Sequence, residues 1–293
     1  MNNIRPRRSV LYMPGSNERA LEKAKSLPAD ALILDLEDAV APEAKEAARR
    51  QVCDAVGRGG YGAREVVIRI NALDTPWGSA DLEAAAQVPA DAILVPKVSQ
   101  PADIMAVADI AKSAGARTSL RLWAMVETPA AILNAREIAA VAADPASRLH
   151  CLVMGTNDLL KESRARALDK RLAVVPWLAI AVLAGRANGL DVIDGVYNDF
   201  KDAEGFRAEC EQGRTLGMDG KTLIHPAQVE PCNQVFSPSA DEIGWARRII
   251  AAFDEQENAG KGVITVDGRM VERLHLAMAR RTVAIGEAIG PSA

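Results

Sequence analysis

The amino-acid sequence predicts a (β/α)8 barrel followed by a C-terminal helical extension. Short apolar runs recur along the chain, and each is followed by a segment with helical periodicity. The polar residues that end several of these runs make one coherent site only if all the strands open onto a shared mouth. Alternating strands and helices imply parallel pairing through right-handed crossovers, and roughly eight such units in roughly 230 residues fit a closed barrel. A doubly wound open sheet is the alternative.

The first strand is Ser9-Val-Leu-Tyr-Met13, stopped by Pro14-Gly15, and Ser16 or Asn17 can cap a helix over 18–26. Ala31-Leu-Ile-Leu34 is the second, followed by acidic residues and a helix from Pro42, a good first helical residue. The third strand covers 66–70, with a short helix over 79–86, and the fourth is Ala92-Ile-Leu-Val95, with a helix over 102–114 ended by Gly115. The fifth covers 120–126 with a helix over 129–142, and the sixth is Cys151-Leu-Val-Met154. A helix over 175–188 stops at Gly189, the seventh strand opens at Leu190, and a helix covers 202–216. Thr222-Leu-Ile224 is the eighth strand. The barrel is thus assigned to 1–235 and an extension to 236–293. In the extension, Ser239 and Glu242 have capping-box spacing for a helix to about 256. Residues 263–266 are strand-like, Asp267-Gly268 marks a turn, and a last helix is expected over 271–288.

Composition narrows the function classes. Of 293 residues, 49% are hydrophobic and 25% charged, as in soluble globular proteins. A net charge of −4 without a long basic run gives no electrostatic case for nucleic acid. The start of the chain lacks the apolar stretch of a signal peptide, and the run 172–184 is interrupted by Pro176 and too short to span a bilayer. The four cysteines are scattered without zinc-like spacing and read as reduced thiols of a cytoplasmic protein. With three histidines, oxygen ligands for magnesium, or alternatively manganese, are favoured over a histidine-rich metal site.

The chemistry is concentrated at strand ends. Glu127 closes the fifth strand and Asp158 follows the sixth; each alone could cap a helix or make a turn. Together, on consecutive strands of a barrel, they suit a shared divalent metal with positions left open for water and a bidentate substrate. Arg69 ends the third strand, where a buried guanidinium needs an acid or a ligand carboxylate; Glu37 and Asp38 are local candidates. Those two, in the run Asp35-Leu36-Glu37-Asp38, could also hold metal-bound water or orient Arg69. Lys97, after the fourth strand, could form the Schiff base of an aldolase, but amid carboxylates a protonated ion pair is favoured. Tyr12 with Arg19 and Lys23, one turn apart on a helix, could hold a nucleotide-like tail, but from spacing alone a solvated helix face is favoured; Arg5, Arg7 and Arg8 could touch phosphate or form a solvated arm. No Walker loop, Gly-x-Gly-x-x-Gly or Gly-x-Ser-x-Gly motif is present.

Eight segments in order complete the pattern: Arg8-Ser-Val-Leu-Tyr-Met-Pro-Gly15, Leu34-Asp-Leu-Glu-Asp-Ala-Val40, Val67-Ile-Arg-Ile-Asn71, Val95-Pro-Lys-Val98, Val126-Glu-Thr-Pro129, Gly155-Thr-Asn-Asp-Leu159, Gly220-Lys-Thr-Leu-Ile-His-Pro226 and Gly262-Val-Ile-Thr-Val-Asp-Gly268. In this order they resemble the citrate lyase beta-subunit-like group, which includes malyl-CoA and citramalyl-CoA lyases. The resemblance spans essentially the whole chain. It implies a (β/α)8 barrel, a magnesium-dependent carbon–carbon lyase acting on an acyl-CoA thioester with a 2-keto acid as product, and a homotrimer or dimer of trimers. It assigns Glu127 and Asp158 to the metal and Arg69 to the substrate carboxylate. Tyr12, Arg19 and Lys23 fall on positions that contact coenzyme A, and Ile224-His225 on a segment lining the thioester arm. Asp267 matches a catalytic acid/base delivered from an adjacent subunit. One departure stands out: many relatives carry an acid and then small residues where this chain has Glu272-Arg273-Leu274-His275. Three other readings compete with the lyase: a class II 2-keto acid aldolase without coenzyme A, a malyl-CoA thioesterase, and a non-catalytic scaffold on the same barrel.

Overall fold

The structure is a computed structural model that describes residues 4–166 and 171–290. The chain divides into two compact units, one of residues 7–235 and one formed by the residues before 7 and from 236 onward. In the first, the elements run β1 (Ser9–Pro14), α1 (Glu18–Ala24), β2 (Ala31–Asp35), α2 (Lys45–Arg58), β3 (Glu65–Arg69), α3 (Gly78–Gln87), β4 (Ala92–Val95) and α4 (Pro101–Ser113). They continue as β5 (Arg121–Val126), α5 (Pro129–Leu133), α6 (Ala135–Ala140), β6 (Leu149–Met154), α7 (Thr156–Ser163), α8 (Val175–Ala187), β7 (Asp191–Asp194), α9 (Ala203–Thr215), β8 (Gly220–Leu223) and α10 (Val229–Phe236). Strands β1 to β8 are parallel and close in sequence order, with β1 bonded to both β2 and β8. The unit is a (β/α)8 barrel.

Every residue of β2, β3 and β4 is buried, because a parallel sheet wrapped in helices has no wet face. Period-two alternation then sorts the side chains. Val10, Ala31, Ile33, Val67, Leu94, Trp123, Met125, Val153 and Ile193 pack together inside the barrel. Residues of the same parity one step further along their strands arrive above this plug: Tyr12, Asp35, Arg69 and Glu127. A register shift between Leu122 and Trp123 in the β5–β6 ladder keeps Trp123, Met125 and Glu127 in phase with Cys151 and Val153.

The floor of the barrel is ionic. Arg7 bonds Glu65 through Nε and Nη2 at 2.7 and 2.8 Å, reaches Asp191 at 2.6 Å and lies 4.9 Å over the Trp123 ring. Arg8 grips Asp30 in the same region through Nε and Nη2, both at 2.8 Å. Arg7 and Arg8 are therefore structural, at the end of β1 opposite the mouth. Replacing Arg7 by Met removes the two-point contact to the buried Glu65 carboxylate and the contact to Asp191, and we expect a loss of about 3–5 kcal/mol in urea unfolding. A midpoint unchanged in that variant contradicts this account.

Local structure departs from the sequence expectation at several places. The helix expected over 129–142 is interrupted at Asn134, whose amide turns away to donate to the Ser99 carbonyl at 2.8 Å. The short helices α7 and α10 were not anticipated, since neither carries a long apolar period. In the second unit, α11 (Ala240–Asp254), β9 (Val263–Val266), β10 (Arg269–Glu272) and α12 (Arg273–Ile289) enclose their own core of Ile249, Phe253, Ile264, Val266, Val271 and Leu276. The last helix was expected from residue 271, but Val271 and Glu272 instead pair with Ile264 and Val263. Asp267 and Gly268 both have positive φ, 50° and 77°, which suits a two-residue hairpin turn and makes β10 the partner of β9. None of the four cysteines forms a disulfide. Among the described residues no helix is long and apolar enough to cross a membrane.

Candidate active site

Two charged clusters share the mouth of the barrel. The first is centred on Arg69, which is 6% exposed at the end of β3. Strand register places Asp35 directly beside it on β2, and the pair is bidentate, with Nε–Oδ1 and Nη2–Oδ2 both 2.7 Å. The remaining Nη1 faces Glu37 at 2.9 Å and Asp38 at 3.3 Å. The guanidinium also lies 4.8 Å over the Tyr12 ring. The edge that sequence reasoning reserved for a substrate carboxylate is thus engaged by Asp35, leaving Nη1 as the edge that a ligand can share. The acidic run in the sequence does not single out Asp35; its in-register position opposite Arg69 in the structure does.

Glu37 is under-satisfied. Its Oε2 is buried and makes no hydrogen bond despite its closeness to Arg69, because the approach lacks hydrogen-bond geometry. Burial pushes its carboxyl up to about 8, against the pull of Arg69 and with help from Glu127.

The second cluster is Glu127, Lys97 and Asp158. Glu127, 1% exposed, follows β5, and its Oε1 accepts the Lys97 backbone N–H at 2.7 Å. Lys97 holds φ = 54°, a left-handed conformation that turns this N–H toward the carboxylate. Asp158 stands in the first turn of α7, where the helix dipole favours a negative charge. The Lys97 ammonium lies 3.1 Å from Asp158 Oδ1 and 3.7 Å from Glu127 Oε1. Burial opposes the charge on Lys97, but the two carboxylates outweigh it and hold the ammonium above its ordinary value. That favours an ion-paired lysine over a Schiff-base nucleophile. Burial also raises Glu127, with Lys97 opposing and Asp158 adding to the rise.

Gly155 makes this cluster possible. A Cβ there would fall 2.3 Å from Glu127 Cβ and 2.7 Å from Glu127 Oε2. Its φ of −96° is open to any residue, so the requirement is space for the carboxylate. Sequence reasoning noted this glycine only as a small neighbour of Asp158.

The donor set fits a hard divalent cation. Two carboxylates from consecutive βα units converge on one cationic position, both through oxygen, and a third buried carboxylate oxygen nearby, Glu37 Oε2, makes no hydrogen bond beyond its ion pair with Arg69. Among the described residues no group of three or more His, Cys, Asp or Glu has the spacing of a complete protein cage, so water and substrate would fill the other positions.

The sequence profile of the HpcH/HpaI aldolase/citrate lyase family matches residues 8–226. The chain belongs to that family. The (3S)-malyl-CoA thioesterase of Cereibacter sphaeroides is 56% identical over 284 residues, 97% of this chain and 96% of the relative. The citrate lyase subunit beta of Escherichia coli is 33% identical over 98% of this chain and 95% of its own length. Among solved structures, CitE of Mycobacterium tuberculosis in complex with magnesium, acetoacetate and coenzyme A superposes with a TM-score of 0.75 at 28% identity, covering 96% of this chain and 98% of that one.

The other expected site residues of this HpcH/HpaI family member fall in separate places. Arg19 and Lys23 are exposed on α1. Tyr12 does not join them; it points into the barrel, its hydroxyl 3.6 Å from Met125 Sδ and its ring under Arg69. Ile224 and His225 follow β8 at the mouth. Ile224 is 41% exposed, and the His225 ring stacks on Phe200 with centroids 4.6 Å apart. His225 Nδ1 accepts the Ala227 N–H at 3.2 Å, which leaves Nε2 to carry the ring proton. Asp267 belongs to the second unit, where Arg248 Nε meets its Oδ2 at 2.9 Å.

Proposed function

We propose that this protein is a magnesium-dependent enzyme acting on the coenzyme A thioester of a malyl-type 3-hydroxy acid, which it hydrolyses to the free acid and coenzyme A. The observation that carries the reading is the convergence of Glu127 and Asp158 on one cation position beside Arg69. The 56% identity to a (3S)-malyl-CoA thioesterase supports hydrolysis as the outcome. The magnesium in CitE supports the metal. When bound, magnesium supplies a Lewis acid for the oxygens of the hydroxy-acid end.

The chain's own residues do the rest. Glu127 and Asp158 fix the ion, and the half-exposed Lys97 stem gives its ammonium room to swing aside. Arg69 is anchored by Asp35 and offers Nη1 to the substrate carboxylate, while Glu37 and Asp38 line the approach. Arg19 and Lys23 take the phosphates of coenzyme A, and Ile224 and His225 line the thioester arm. Asp267 acts as acid/base, delivered by a neighbouring copy in a cytoplasmic homotrimer. Exposed large apolar side chains in both units, Leu133 and Leu183 in one and Leu274 and Met278 in the other, support burial against further copies.

The second reading, carbon–carbon cleavage to a 2-keto acid and a shorter acyl-CoA, is favoured by the 33% identity to citrate lyase subunit beta. The same carboxylate pair and arginine would serve both outcomes. Incubation with magnesium and malyl-CoA separates them: hydrolysis releases malate and free thiol in equal amounts, whereas cleavage releases glyoxylate and acetyl-CoA without free thiol. Absence of all four products with malyl-CoA sinks the proposed substrate class.

A further inference from the structure

A largely buried set of four charges stands behind the mouth, in none of the roles assigned above. Asp194 ends β7, and its outward parity, opposite to that of Ile193, sends it between the barrel wall and the helices. Lys221 is its direct register partner on β8, and both are 0% exposed. Lys221 Nζ reaches Asp194 Oδ2 at 3.1 Å and Glu209 Oε1, on α9, at 2.6 Å. Arg171, also buried, grips Asp194 bidentately at 2.7 Å through both Nη atoms and donates Nε to Gln212 at 2.7 Å. Two cations and two carboxylates balance. A buried ionic set of this kind is weak as a source of stability, since apolar residues of similar volume do as well or better. Its geometric consequence is more informative.

The set captures both backbone groups of Gly195. The Gly195 N–H donates to Asp194 Oδ1 at 2.8 Å, and its carbonyl accepts from Lys221 Nζ at 2.5 Å. Gly195 in turn abuts the start of α7: a Cβ there would lie 2.4 Å from Thr156 Oγ1 and 3.0 Å from the Met154 carbonyl. Thr156 is the first residue of α7, and Asp158 is two residues further on. Arg171 pins the chain beyond α7 to the same Asp194 carboxylate. The start of α7, and Asp158 with it, is therefore flanked by two close approaches, Gly155 against Glu127 and Gly195 against Thr156, and Arg171 binds the carboxylate that holds the Gly195 N–H.

We infer that Arg171, Asp194 and Lys221 are positioning residues that hold the first turn of α7, and with it the Asp158 carboxylate, in register with Glu127. The inference rests on the proposed metal role of Asp158 only for its functional consequence; the positioning itself is testable without metal. Arg171→Met and Lys221→Met should speed hydrogen exchange of the amides of α7 at least about tenfold, with β1 to β4 unchanged. The magnesium dissociation constant, measured by calorimetry on the folded full-length variants, should rise about 10- to 100-fold, the usual cost of losing a ligand's supporting contacts. Arg171→Lys should restore part of both.

If the methionine variants do not fold, Gly195→Ala leaves every charge in place and pushes on Thr156 directly, and the same two changes are expected. Unchanged α7 exchange in a folded Arg171→Met or Gly195→Ala variant overturns the inference. If α7 exchange rises as expected but neither wild type nor Asp158→Ala binds magnesium, the positioning stands and the proposed metal role of Asp158 fails.

Discussion

Gly155→Ala is expected to cut turnover about a hundredfold while leaving a folded barrel. The new methyl group would occupy the space of Glu127 Cβ and Oε2, at 2.3 and 2.7 Å. Backbone on both sides is fixed by the β5–β6 ladder, and the Gly155 N–H is held by the Val126 carbonyl at 3.0 Å, so the carboxylate must give way. Rotation of Glu127 breaks its 2.7 Å bond from the Lys97 N–H and its convergence with Asp158. Misplacing a reacting group by about 1 Å costs on the order of 10²-fold in rate, and overpacking about 1–3 kcal/mol in stability. Steady-state kinetics beside a thermal melt checks both. Wild-type kcat in this variant would mean that the carboxylate is not where the chemistry happens.

Asp158→Ala should separate activity from stability more cleanly. Asp158 has 27% of its side chain exposed, and Lys97 is its partner at 3.1 Å, so removing it should change stability by less than about 1 kcal/mol. If Asp158 is half of the protein's grip on a Lewis acid, the variant forfeits about 4 kcal/mol of transition-state stabilisation, roughly 10³-fold in kcat/KM. Chelation by EDTA should reproduce that loss in the wild type, and excess magnesium should reverse it there but not in the variant. Full activity in the variant, or in the wild type under EDTA, contradicts the metal reading.

The barrel was legible because its strands are buried on both faces, which writes them as uninterrupted apolar runs such as Ala31-Leu-Ile-Leu34. Elements held by tertiary contacts rather than by their own pattern were not. α7 is short and polar, and β10 exists because the Asp267-Gly268 turn folds it back on β9. Glu127 and Asp158 were visible as strand-end acids, and the structure brings both to the Lys97 ammonium. What sequence could not supply was the partner of Arg69. Glu37 and Asp38 were the named candidates, and both approach it, but the two-point contact belongs to Asp35, decided by interstrand register. The charge set of Arg171, Asp194, Glu209 and Lys221 was equally invisible, since its members come from four separate segments.

Lys97 has one more consequence. In proteins whose acidic ligands face each other bare, the chain cannot settle until a metal arrives, and making the fold waits on ion supply. Here a tethered ammonium already fills that electrical vacancy. If Glu127 and Asp158 hold magnesium as proposed, the barrel can mature in a magnesium-poor environment and be charged afterwards, by trading one positive guest for another.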